Sequence, residues 1–303
     1  MNVNRMNVFI NKKFNEYYNK KPITIVDIGA AGGLHKRWKK VEKHLQAFCF
    51  EPDERSYKEL SNDKHIICKN IGLNHEKNFM KIYLTKKPTC SSIYPPNEEF
   101  IKNFQNPDRF KVIKEIDIKV DTLDNQLLLL NCSDVDFIKI DTQGSELTIL
   151  QGAKKILDSV LGLRIEVEFN RIYKGQPLFS DVDSYLNNYG FQLFDLRLSR
   201  WPRISTERKQ VIAADAVYLR SLDYFTNLNK YKVLHAISIC LLFGFFGYAI
   251  DISNLAYKNN ILSKTENDLI IKNIKSGFYI SKFRYKVTDV IWKMYYIINY
   301  QLN

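Results

Sequence analysis

Hydrophobic and polar positions follow two different periods along this chain, and the switches between them outline its elements. Ile23-Thr24-Ile25-Val26-Asp27-Ile28 is an apolar, β-branched run that ends in an acid and a glycine-rich stretch, Gly29-Ala30-Ala31-Gly32-Gly33. Such a run suits a strand buried on both faces, as in parallel sheets covered by helices. Gln46–Phe50 and His65–Asn70 predict two more strands, with helices over His35–Leu45 and from Asp53, a suitable N-cap, to Leu60. Phe79–Leu84 and Glu115–Val120 instead alternate apolar with polar, which predicts half-exposed antiparallel strands. A helix starting at Asp121-Thr122-Leu123-Asp124, a strand Val135–Ile140, and a helix with Leu147, Leu150, Ala153, Ile156 and Leu157 inward come next. A strand Leu163–Phe169, a helix Asp181–Asn188 ended by Gly190, and closing strands Phe191–Leu196 and Val211–Leu219 complete an α/β pattern.

The chemistry gathers where strands end. Gly29 would let the backbone turn, and Gly32 and Gly33 would let a ligand or helix approach closely. The spacing is not G-x-G-x-x-G and Asp27 precedes the first glycine, which disfavours a nicotinamide dinucleotide. A carboxylate there suits a ligand with an ammonium group, such as S-adenosylmethionine. Glu51, 22 residues after Gly29 and followed by Pro52, stands where an acid hydrogen-bonds ribose hydroxyls. Gly72, in the bend Ile71-Gly72-Leu73, is a place for the adenine ring. Solvated loop acids are the alternative for Asp27 or Glu51 taken singly.

Asp141 ends the Val135–Ile140 strand, where ligands gather in open parallel sheets. It suits a general base, with helix capping as the alternative. Asp141 with Glu166 and Glu168 could hold a divalent cation, while ion pairs of the glutamates with Arg164 or Arg171 compete with that reading. Between the two alternating strands lies a long segment with Pro88, Ser91, Ser92, Pro95, Pro96 and Pro107, which reads as a lid or as disorder. Arg197, Arg200, Trp201, Arg203, Arg208 and Lys209 could grip a phosphate or stack on a sugar; a solvated hairpin tip is the alternative. The acceptor-site candidates are Ser91, Ser92, Glu168, Tyr173, Arg200 and Trp201.

Composition narrows the classes. With 303 residues, 45% hydrophobic, the chain can form one large domain and an appendage. Five cysteines without a C-x-x-C pair point to reduced thiols in a cytoplasmic protein, and the polar N-terminus lacks a signal-peptide core. Of the net charge of +12, residues 1–22 carry +4 and 226–303 carry +6, leaving 23–225 nearly neutral. Basic flanks allow contact with an anionic membrane surface or a phosphate-bearing substrate, or are solvated surface. No basic run interleaved with aromatics favours nucleic acid. Val233–Ile250 lacks Lys, Arg, Asp and Glu over 18 residues, the lower limit for a membrane span, yet Gly244 and Gly247 favour a buried helix. An amphipathic helix is expected over Ser281–Tyr300.

From Thr24 to Arg220 the chain resembles the FkbM-type methyltransferases, a branch of the class I S-adenosylmethionine-dependent enzymes. The resemblance rests on Val26-Asp27-Ile28-Gly29-Ala30, Phe50-Glu51-Pro52, Thr122-Leu123-Asp124, Phe137-Ile138-Lys139-Ile140-Asp141-Thr142-Gln143-Gly144-Ser145-Glu146 and Leu150-Gln151-Gly152-Ala153. It implies a Rossmann-like seven-stranded mixed sheet in the order 3-2-1-4-5-7-6, with a C-terminal helical extension. It also implies S-adenosylmethionine over Asp27, Gly29, Ala30, Gly32, Glu51, Pro52 and Gly72, and methyl transfer to a hydroxyl, preferentially of a sugar in a polysaccharide or glycolipid precursor. Where the family has an asparagine after the alanine, this chain has Ala31-Gly32. The organisation expected is a basic N-terminal segment 1–22, a methyltransferase domain 23–220 and a helical accessory domain 221–303. A non-catalytic binding subunit of a glycan-assembly complex is the competing class.

Overall fold

The computed structural model describes residues 12–61, 66–205 and 208–276. The expected helix over Ser281–Tyr300 and the start of the third strand at His65 lie outside the described residues. The chain divides into two compact units, one spanning Pro22–Tyr224 and the other comprising, in its described parts, 12–21 and 225–276.

In chain order the elements are α1 (Lys12–Lys20), β1 (Ile23–Ile28), β2 (Leu45–Phe50), α2 (Glu54–Leu60), β3 (Ile66–Lys69), β4 (Gly72–Leu73), β5 (Asn78–Thr85), α3 (Glu98–Ile101), β6 (Val112–Asp121), α4 (Leu123–Leu129) and β7 (Phe137–Ile140). They continue with α5 (Glu146–Gln151), α6 (Lys154–Leu157), β8 (Gly162–Glu168), α7 (Phe179–Asn188), β9 (Phe191–Pro202), β10 (Lys209–Arg220), α8 (Lys230–Phe243) and α9 (Phe246–Lys258). Seven strands form one sheet in the order β3-β2-β1-β7-β8-β10-β9. Counted within that sheet alone, this is the expected 3-2-1-4-5-7-6. β1 is buried at all six positions and pairs in parallel with β2 and β7, which explains its unbroken apolar run. The chain leaves β1 toward β2 on one side and reaches β7 on the other, so a crevice opens at its carboxyl end.

One face of this sheet packs on α4, α5 and α7. Val26, Ile28, Phe50, Ile138, Ile140, Ile165, Val167, Ala214 and Ala216 meet Leu123, Leu127, Ile149, Leu150, Val182 and Leu186 in a single apolar cluster. The family-like motifs hold this layer together. Thr122 caps α4 by accepting from Asn125 N (3.1 Å), and the Asp124 carboxylate accepts from Lys155 N and Ile156 N (both 2.9 Å), joining α4 to α6. A Cβ on Gly152 would lie 2.2 Å from the Asn74 carbonyl oxygen, so only glycine admits this crossing.

The alternating segments form a second sheet, β4-β6-β5, with β5 antiparallel to β6 as expected. The proline-rich segment between them is packed rather than disordered. Cys90, Ile101, Phe104 and Phe110 form a buried cluster with Ile172, Tyr173 and Ile212.

Three local expectations are corrected. The 35–45 helix is a 3-10 segment, Trp38–His44, kinked at Val41, which places Trp38 against Phe137 at 5.3 Å between centroids. The helix after Asp141 breaks at Gly152 into α5 and α6 because the Asn74 backbone crosses there. The last two strands are each 12 residues long, so Arg200 and Trp201 belong to β9 and not to a loop tip.

In the other unit, the Tyr18 hydroxyl pairs with Ser238 Oγ at 2.6 Å and its ring stacks on His235. α8 is buried from Lys232 to Leu242, as its all-round apolar sequence requires. Gly244, with φ +92°, ends it in a left-handed cap and separates α9. Among the described residues, no helix is long and apolar enough to cross a membrane.

Candidate functional site

The crevice beside β1 is a cavity of about 210 Å³. Gly29, Ala31, Glu51, Pro52, Gly72, Ser91, Ser92 and Asp141 line it, and Ile82, Leu84, Ile118 and Val120 of the small sheet add an apolar wall. Gly29 makes it possible. Its φ is +69°, its N–H donates to the Phe50 carbonyl at 3.0 Å, and an added Cβ would stand 2.0 Å from the Asp141 carbonyl oxygen. Glu51 is 5% exposed, and its Oε1 accepts from Asp53 N at 2.9 Å. Burial raises its pKa, partly offset by that backbone bond. The bend at Gly72 is the short strand β4, parallel to β6.

Asp27, next to the Ile28 and Gly29 that line this crevice, has a partner on the neighbouring strand. Lys139 is its register neighbour on β7, and Nζ stands 3.0 Å from Asp27 Oδ1 and 3.9 Å from Asp141 Oδ2. The ammonium directs a hydrogen bond to the Gly29 carbonyl at 2.6 Å. Its contact with Asp27 is an ion pair off the ideal hydrogen-bond axis, and Lys139 is the partner of the buried Asp27 Oδ1. Burial pushes the Asp27 carboxyl up to about 6, against the opposing pull of Lys139. Burial works to lower the Lys139 pKa, but Asp27 and Asp141 outweigh it and the ammonium is held charged. Strand periodicity carried the signal for Lys139: it lies two residues before Asp141 and so shares its face.

The turn after β7 is braced from within. Gln143 adopts φ +60° and Gly144 φ +109°. The Glu146 carboxylate accepts from Thr142 N (2.7 Å) and Gly144 N (2.9 Å), closing the turn back on α5. Burial pushes this carboxyl up to about 7. Glu146, not Asp141, thus satisfies the turn's backbone. Asp141 accepts from Gln143 Nε2 at 3.2 Å, and its side chain is 41% exposed toward the crevice.

The metal reading is corrected. Among the described residues, no three His, Cys, Asp or Glu side chains are grouped to hold a metal ion. Gln143 donates to Glu166, while burial and the Asp141 charge drive the Glu166 pKa well up; Glu168 is 3% exposed and raised by burial, Glu146 and Asp141. The competing ion pairing of Glu166 and Glu168 is also replaced, since Arg164 pairs with Asp215 at 2.7 Å.

Of the other candidates, Ser91 and Ser92 line the crevice, whereas Ala30, Gly32, Tyr173, Arg200 and Trp201 do not. Ala30 packs against Cys49 and Leu60, and it is Ala31 that lines the wall. Gly32 opens on a separate cavity of about 270 Å³ with Trp38 and Leu60. Ser92 Oγ donates to the Gln143 carbonyl (2.6 Å), and the Tyr173 hydroxyl points between the Cys90 carbonyl (2.9 Å) and Gln143 Oε1 (3.1 Å). Tyr173 is fully buried, so it acts on the crevice only through Gln143. Trp201 packs against Phe104 and Phe110 with Arg109 stacked on it at 4.1 Å, and Arg200 is exposed on β9.

Residues 27–193, more than half of the chain, match the family described as Methyltransferase FkbM domain. The chain belongs to this family. Within the match, the Asp27 crevice and the Asp141–Glu146 turn form the wall shared by the two ends of the motif set. No curated protein matches the chain. Among solved structures, it is similar to magnesium protoporphyrin IX methyltransferase (ChlM) from Synechocystis PCC 6803 with bound SAM, at 9% identity over 72% of this chain and 80% of that one, TM-score 0.35. It is similar also to precorrin-6y C5,15-methyltransferase from Geobacter metallireducens GS-15, at 9% identity over 68% and 86%, TM-score 0.35. A third is M. jannaschii TYW2 in complex with AdoMet, at 10% identity over 69% and 75%, TM-score 0.31.

Proposed function

We propose that this FkbM-family protein is an S-adenosylmethionine-dependent O-methyltransferase that acts on a sugar hydroxyl of a polysaccharide or glycolipid precursor. The observation that carries the reading is the crevice at the carboxyl end of β1, lined by Gly29, Glu51 and Asp141, with the buried Asp27 two residues before its glycine. A buried carboxylate at this place suits a ligand ammonium, directly or through water, in addition to its ion pair with Lys139. Glu51 is left for ribose hydroxyls, Gly29 and Ala31 for a close backbone approach, and Gly72 with the small-sheet wall for an aromatic base. When bound, S-adenosylmethionine supplies the electrophilic methyl group. The chain supplies the path for the acceptor proton: Asp141 takes it from the hydroxyl, and Gln143 and Lys139 hold the carboxylate in place. Residues 23–220 form the catalytic domain in this proposal, and the net positive charge of the flanks favours an anionic membrane surface.

Incubation with labelled methyl donor and a panel of nucleotide sugars and glycolipids should yield a base-stable methyl ether on the sugar. Calorimetry with S-adenosylhomocysteine and with NAD should show binding of the former alone. Binding of neither would favour the non-catalytic subunit, and binding of NAD a dehydrogenase.

The ionisation of Asp27 gives a further expected result. Only the ionised carboxylate pairs with an ammonium, so S-adenosylhomocysteine affinity should fall as pH drops through about 6, by up to tenfold per pH unit. Glu51, also raised by burial, adds to the fall. Asp27→Asn should remove most of the step near pH 6 and leave weak binding from pH 6 to 8. A flat profile for the unsubstituted protein in titrations from pH 5 to 8 would take Asp27 out of the cofactor site.

A further inference from the structure

The sheet face opposite α4, α5 and α7 is charged across its strands. By strand alternation it carries Asp27 on β1, Lys139 on β7, Arg164, Glu166 and Glu168 on β8, and Asp215 on β10. The register sets Lys139 beside Arg164, and Asp215 beside Glu166 on one side and Arg197 of β9 on the other. A dry core face does not hold such a row, because each unpaired buried charge costs several kcal/mol. Here the side chains of Lys139, Arg164 and Asp215 retain 19%, 21% and 28% exposure, so water reaches this face next to Asp141.

Positive charge is in excess two strands away from Asp141. Arg164 pairs with Asp215 at 2.7 Å, and the exposed Arg197 faces the same carboxylate in the register. Arg37, from the segment after the glycine turn, is held down at about 10 by burial and by Arg164 and Arg197, against Asp215. His35 beside it is lowered by burial, then by Arg37 and Arg164. Two guanidinium groups, of Arg164 and Arg197, thus flank one carboxylate. We propose that this charged face receives the acceptor, and that Arg164 and Arg197 hold an oxyanion on it, a carboxylate or a phosphate. Guanidinium groups match both by paired hydrogen bonds. An oxyanion held between Arg164 on β8 and Arg197 on β9 lies over β10, two strand spacings or roughly 10 Å from β7. One hexose ring with a charged substituent bridges that gap, setting a hydroxyl at Asp141. The inference rests on Asp141 as the proton acceptor and deepens the proposed function, since it selects acidic sugars or sugar phosphates over neutral ones.

The test is titration of the full chain, saturated with S-adenosylhomocysteine, with glucuronic acid, glucose 1-phosphate and methyl glucoside. At least one anionic sugar should bind tenfold or more tightly than the glucoside, and the stronger of the two identifies the carboxylate or the phosphate. Arg197→Gln, on an exposed edge strand, should weaken that binding at least fivefold. Asp215→Asn, which removes the competing carboxylate, should strengthen it at least threefold. S-adenosylhomocysteine affinity should stay within twofold in both variants. Equal binding of all three sugars, no binding of either anion, or both variants moving affinity in the same direction would overturn the inference. Anion binding that persists in a protein unable to bind S-adenosylhomocysteine would leave the arginine site standing and remove the methyl-transfer reading instead.

Discussion

Gly29→Ala should destabilise the protein by about 3 kcal/mol or more and abolish S-adenosylhomocysteine binding. Two costs add. A non-glycine residue at φ +69° is strained by about 1–3 kcal/mol, and the new Cβ would stand 2.0 Å from the Asp141 carbonyl oxygen, a backbone atom that cannot swing away. Relief of the clash must separate β1 from the turn after β7, and that junction forms one wall of the crevice. Gly32→Ala is the matched control. Its φ is +86°, but nothing lies within 4 Å of the new atom, so only the dihedral cost of about 1 kcal/mol applies. Urea unfolding of the two variants side by side reads the difference. If Gly29→Ala proves as mild as Gly32→Ala, the close approach of the two segments does not govern the site.

Asp141→Asn should lower turnover by about 10²–10⁴-fold while leaving S-adenosylhomocysteine affinity within a few-fold. The amide keeps the size of the side chain and the bond with Gln143 but cannot take a proton from a hydroxyl. A structural role would predict otherwise, and the turn geometry argues against one. Glu146 satisfies Thr142 N and Gly144 N, and α5 begins at Glu146, so Asp141 is not needed as its cap. Single-turnover methyl transfer to the acceptor found in the panel separates chemistry from binding. Unchanged turnover with the asparagine would hand proton removal to another group.

The two substitutions probe different ends of the same path from sequence to site. β1 was legible because a strand buried on both faces must be apolar throughout, and β5 and β6 of the small sheet because each has one exposed face. The turn after β7 was legible as a motif, but its brace was not. Glu146 reads as an ordinary helix-start acid, and only the fold shows it 3% exposed with two backbone N–H groups on its carboxylate. Lys139 was overlooked for a similar reason: a lysine inside an apolar strand reads as a break in the pattern until the register sets it beside Asp27. The proposed cation site failed on the same kind of fact. Alternation places Glu166 and Glu168 on one face, but it says nothing of the burial that raises both pKa values or of the Gln143 amide between Glu166 and Asp141.

By itself, the sequence determined the order and type of the strands, the positions where only glycine serves, and the acids that stand at strand ends. These follow from local sterics and from the period with which side chains alternate, which depend on neighbours along the chain. Which charges meet was decided by the tertiary structure: the Asp27–Lys139–Asp141 group, the Gln143 amide between Asp141 and Glu166, and Arg164 with Arg197 about Asp215. The joining of 12–21 with 225–276 into one unit was decided there as well. Electrostatic energies depend on distance through space and on access to water, and neither is fixed until the strands take their register.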